Sequence, residues 1–177
     1  MGYSGRLMAR RRSSSLAGWR RQAVGRVAAV RRATVAFIDR LPEAEIRRPR
    51  TQDRWSVKDV LAHLLACDEE TNRRLRLIAR GQAERIQWFD SMAYADRFNA
   101  RTVAQLRRLS LPALRRRMQR VHGELIKRLE RLPATAFDDP SHAYPLVEWL
   151  PAPGWSHERE HIGEVKAWWK SRQSSRR

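Results

Sequence analysis

Three of the five histidines in this 177-residue chain stand where their side chains could share one ion. His157 and His161 are four apart in Ser156-His157-Glu158-Arg159-Glu160-His161. That spacing stacks two imidazoles on one face of a helix, close enough to bind the same ion. His63 comes from far upstream, in the pattern Val60, His63, Leu64 and Cys67, which is i, i+3, i+4, i+7, the spacing of one buried stripe. An imidazole turned into a core needs a hydrogen-bond partner or a metal, because an unsatisfied buried polar group costs about 1–3 kcal/mol. If the two helices pack together, the three rings form a three-nitrogen site with an open position, the arrangement of a catalytic rather than a structural metal.

Other residues near these could take part. Cys67, one helical turn after His63, is either a thiol beside or on the site or a small buried filler, which is the commoner role. His157-Glu158-x-x-His161 matches the helix of zincin proteases, where the glutamate is the general base. Ala167 stands where a third zincin histidine would be, and little chain remains for a downstream glutamate ligand, so Glu158 is expected to be a solvated carboxylate near a helix N-terminus. His122 falls beside the apolar stripe of its own helix and is read as a surface or boundary residue. The aromatic run Ile86-Gln87-Trp88-Phe89-Asp90 is expected to pack the end of a bundle, with pocket lining as the alternative.

The elements that must position these groups are helices. Ser56 is a suitable N-cap and Asp59, three residues on, completes a capping box, so the His63 helix starts there and should end near Gly81. A first amphipathic stretch runs from about Leu16 to Arg40, stopped by Leu41-Pro42, and a loop leads to Arg54. A further helix covers roughly Tyr94 to Arg108. Ser110 caps the clearest amphipathic helix, in which Leu114, Met118, Val121, Leu125 and Leu129 repeat at 3 and 4. Pro140, Pro145, Pro151 and Pro153 exclude a helix across most of the segment from Leu132 to Trp155, which is expected to cover one side of the site. Ser156 should cap the last helix, Trp168 should pack inward, and nothing after Lys170 is expected to be ordered.

Composition narrows the function classes. Length and apolar content suit one domain, here residues 16–172, with a basic, acid-free segment 1–15 and a tail 173–177 expected to be disordered. The formal net charge is +18, but only four of the basic residues are lysines, and the arginines are spread over the whole chain. Biased codon usage explains that skew better than phosphate recognition does. One cysteine excludes an internal disulfide and fits a cytoplasmic home, and no apolar run approaches the length of a membrane span. There is no period-2 alternation and no Gly-rich phosphate loop.

Trp55-Ser56, a histidine eight residues after that tryptophan, a long helical middle and the C-terminal His157-x-x-x-His161 together resemble the DinB-like superfamily, over roughly Val35 to Arg172. The resemblance implies an all-α four-helix bundle of up-up-down-down topology, a divalent metal (zinc, nickel or iron) held by His63, His157 and His161, and relatives that include thiol-dependent S-transferases and maleylpyruvate isomerases. The expected function is a metal-dependent enzyme acting on a small electrophilic molecule, by transfer of a low-molecular-weight thiol or by hydrolysis. A small-molecule substrate is then the expected partner, a homodimer is compatible, and nucleic acid and membrane are not expected. A non-enzymatic basic module for nucleic acid and a zincin-type protease are the competing readings.

Overall fold

The computed structural model describes residues 3–50, 55–141 and 144–175, with side chains from residue 14 onward. His142 lies outside them. The described residues form seven α-helices: α1 Tyr3–Ile38, α2 Glu43–Arg47, α3 Val57–Ala79, α4 Met92–Leu106, α5 Leu111–Arg131, α6 Leu146–Trp149 and α7 His157–Ser174. No strand occurs among them, only an isolated bridge between Pro49 and Ser56. The fold is all-α, as expected, and no helix in it is long and apolar enough to cross a membrane.

Helix α3 is the central member, packed on α5, α4 and α7, while α1 packs on α5 and α7. At about 1.5 Å per residue α3 is about 34 Å long, and it passes through two buried clusters. Val57, Val60, Leu64 and Leu65 join Leu114, Met118, Ile162 and Val165 in one, with Trp168 packed against it. Leu75 and Ile78 join Val27, Leu125, Leu129, Phe137 and Leu150 in the other. The helix begins at the capping box read from sequence: Ser56 Oγ accepts the Asp59 N–H at 3.1 Å, and the Asp59 carboxylate accepts the Ser56 N–H at 3.0 Å. It ends at Gly81, whose φ of 64° is a left-handed conformation that favours glycine.

Four boundaries differ from expectation. Helix α1 starts at Tyr3 and not at Leu16, because no proline interrupts the chain before Pro42 and its Arg, Leu and Ala residues are good helix formers. The segment before Arg54 is not all loop, since Pro42 admits the short helix α2 after it. Helix α7 continues past Lys170, held by Arg172, which donates to both Glu45 carboxylate oxygens on α2 at 2.6 and 3.1 Å. Finally, Ser156 is no cap: its backbone is already helical and its side chain makes no capping bond. A π-helical turn, Ala152–Ser156, runs directly into α7. Proline is tolerated there because the N–H groups of a first turn have no intrahelical acceptor to lose.

Candidate metal centre

The two helices predicted to carry the histidines do meet. His63 lies in the second turn of α3, 3 % exposed. His157 opens α7, delivered by the π turn, where its N–H donates to the carbonyl of Ala152 five residues back. Such turns recur at functional sites because they re-aim the side chains that follow. Gly154 permits the close approach to α1: a Cβ there would sit 3.3 Å from Val27 Cγ2.

His157 Nε2 is 3.1 Å from His63 Nε2 and 3.0 Å from His161 Nε2, with ring centroids 4.4 to 4.9 Å apart. Trp55, whose ring centroid is 5.0 Å from that of His63 and 6.5 Å from that of His161, lies alongside both rings. Two nitrogens bound to one ion at about 2.1 Å and at 90–109° from each other would be about 3.0–3.4 Å apart, so the observed separations suit a shared ligand sphere. Hydrogen bonding accounts for them less well. A neutral imidazole nitrogen has either one hydrogen or one lone pair, so His157 Nε2 can satisfy only one of its two neighbours.

The electrostatics point the same way. Burial, followed by the neighbouring imidazoles, pushes the His63 pKa down to about 3. His157 is lowered by burial and then by His161, and His161 is lowered by burial most of all, partly offset by Glu164. All three rings are therefore neutral near pH 7, with lone pairs free for a cation. One feature departs from a well-supported metal histidine. His63 Nδ1 is buried with no acceptor, whereas such rings usually donate their second N–H.

Cys67 belongs to the site. Its Sγ lies 3.8 Å from His63 Nε2, and the donor atoms of His63, Cys67 and His157 all fall within 4.8 Å of one another, a group able to hold a metal ion. Burial, reinforced by the charge of Asp68, pushes the thiol up to about 12, so it is protonated unless a cation draws the proton off. His63, Cys67 and His157 face a cavity of about 720 Å³ that Trp88, Phe89 and Trp149 also line. The aromatic run expected to pack a bundle end is thus the wall of the pocket beside the histidines.

Two expectations are corrected. Glu158 is not solvated; it is 3 % exposed and accepts from Arg31 Nε at 2.9 Å and Nη2 at 3.0 Å. Arg31 Nη2 also donates to Asp68 at 3.0 Å. His122 is buried and not at the surface, its Nδ1 3.5 Å from Asp68. Both differences share a cause: the partners, Arg31 of α1 for Glu158 and Asp68 of α3 for His122, come from other helices, and no local pattern announces them. With both oxygens of Glu158 engaged by Arg31 and no strand among the described residues to align a peptide, the zincin resemblance of the motif stops at its spacing.

The sequence profile of the DinB superfamily matches residues 26–165, a span that contains all three site histidines and Cys67. No curated protein and no solved structure matches the chain.

Proposed function

Because this chain belongs to the DinB superfamily, we propose that it is a divalent-metal-dependent enzyme that joins an external thiol to a small electrophilic molecule, with His63, His157 and His161 as the metal ligands. The observation that carries this reading is the approach of His157 Nε2 to His63 Nε2 at 3.1 Å and to His161 Nε2 at 3.0 Å, beside a 720 Å³ cavity that His63 and His157 line. A divalent ion bound there would supply a Lewis acid that favours a thiolate over a thiol, or lowers the pKa of water to about 7.

Two residues favour thiol transfer over hydrolysis. Glu158, the carboxylate at the position of a zincin base, is 3 % exposed, accepts from Arg31 through both oxygens and does not line the cavity, so it does not face a water held there. Cys67, with its pKa pushed up to about 12, is a poor nucleophile of its own. The reacting thiol therefore comes from a second substrate, and the cavity is open beside His63 and His157 to admit it. The single cysteine also fits a cytoplasmic, thiol-rich compartment.

The test is spectroscopic. Cobalt-substituted protein should change its visible spectrum when small thiols are added, since sulfur entering a nitrogen site alters geometry and adds charge-transfer bands. A spectrum unmoved by every thiol, together with a hydrolase activity that Glu158→Gln abolishes without loss of metal, would replace this reading with hydrolysis.

A further inference from the structure

Arg74 lines the cavity and is not used by the metal chemistry. On α3, His63, Cys67 and Arg74 stand at i, i+4 and i+11, so all three share one face. The rise from Cys67 to Arg74 is about 10 Å. Arg74 is held firmly: Nε donates to Glu70 Oε1 at 2.9 Å, and Nη2 reaches the Gln87 carbonyl at 3.5 Å. Its guanidinium carbon lies 4.8 Å from the ring centroids of Trp88 and of Phe89, and 5.8 Å from that of Trp149. Among the described residues nothing engages Nη1.

A second donor lies in the same wall. Trp149 is 9 % exposed, and its indole Nε1 is buried with no acceptor, although buried indole N–H groups normally have one. Asp90, an acid that also lines the cavity, is exposed, and the charge beside Arg74 leaves room for an anion. Glu70 accepts from both Arg73 and Arg74, so one carboxylate is shared between two guanidinium groups. An acceptor in the cavity would engage Arg74 Nη1, while the aromatic walls suit a flat apolar body.

We infer that the cavity takes a small, flat carboxylate, its acid group held by Arg74 and its other end presented about 10 Å away to Cys67, His63 and His157. This assignment of substrate class rests on the histidine centre being the place of reaction. Arg74 is a specificity residue in this scheme. It selects a charged end remote from the chemistry, as a planar guanidinium fork does for carboxylates.

Calorimetric titration of the purified full-length protein with cinnamate, and with neutral cinnamyl alcohol, tests the assignment without turnover. Cinnamate should bind and the alcohol much more weakly. Arg74→Gln should weaken cinnamate about 10- to 100-fold, the loss of a hydrogen bond to a charged group. Arg74→Gln should keep the parental circular dichroism spectrum at the titration temperature, and Arg74→Lys should recover only part of the loss. Equal binding of acid and alcohol, or no binding of cinnamate at millimolar concentration, would overturn the assignment. So would an acid preference that survives Arg74→Gln but disappears in His157→Ala, because the carboxylate would then be riding on the metal. If the preference follows Arg74 while the protein holds no divalent ion, the anion site stands and the metal-enzyme reading fails instead.

Discussion

His157 is the pivot of the three-ring cluster, since its Nε2 is the atom within 3.1 Å of both other rings. Its replacement by Ala should lower bound divalent metal to well under one equivalent in untagged protein, and His63→Ala and His161→Ala should do the same. Elemental analysis gives the result directly. His122→Ala should keep its metal, because that ring lies beside Asp68, which Arg31 pairs, and not beside the other histidines. Cys67→Ala decides between the two donor sets that overlap here: three histidines retain the ion without the thiol, whereas a His63, Cys67, His157 set would lose it. Full occupancy in His63→Ala would break the cross-helix site, leaving only the pair on α7.

Between elements, a buried group in which Arg31 of α1 joins Asp68 of α3 to Glu158 of α7 ties three helices together. Asp68 follows Cys67 and Glu158 follows His157 in the chain, so this clamp fixes the two backbones that carry the site. Arg31→Met should destabilise the fold by about 3–5 kcal/mol, since it strands two buried carboxylates, and the triple variant with Asp68→Asn and Glu158→Gln should recover much of the loss. Urea midpoints measure both, and a single variant no worse than the triple would show that the clamp contributes little. Ser56→Ala should cost only about 1 kcal/mol by the same measurement. The contrast between these two features also explains what the sequence could reveal. Ser56 and Asp59 are neighbours on the chain, so their chemistry and the start of α3 could be read directly. The apolar periodicity of α5 and the i, i+4 histidines were equally local. The burial of Glu158 and His122 is not legible locally because their partners come from other helices, and the role of Ser156 is not because the π turn before α7 replaces a cap with continuous backbone bonding.

At the scale of the whole molecule, the three neutral imidazoles make folding sensitive to mild acid. His63 titrates at about 3 in the folded chain but near 6.5 when unfolded. Below pH 6.5 the unfolded chain therefore takes up a proton that the folded chain refuses. Stability is present in full above about pH 6.5 and is lost progressively as pH falls toward 3, with each unit of pKa separation worth about 1.4 kcal/mol. His157 and His161, also lowered, act in the same direction. The lowered carboxylates act later. For Asp59 and Glu70, burial works against ionisation, but hydrogen bonds from Arg107 and Ser56, and from Arg73 and Arg74, outweigh it. Their contribution is lost only as pH falls below about 4.5, so the interval from pH 6.5 to 5 belongs to the histidines. The urea midpoint of chelator-treated protein should drop across that interval, and His63→Leu should flatten much of the drop, because leucine fills the buried position without taking up a proton. Saturating divalent metal should raise the midpoint at pH 7.5 and make its fall with acid steeper, since the ion binds only the deprotonated rings of the folded state. A midpoint indifferent to metal at pH 7.5, in a protein whose His63→Leu variant keeps the full acid slope, would show that the convergence of the rings is packing and not a metal centre.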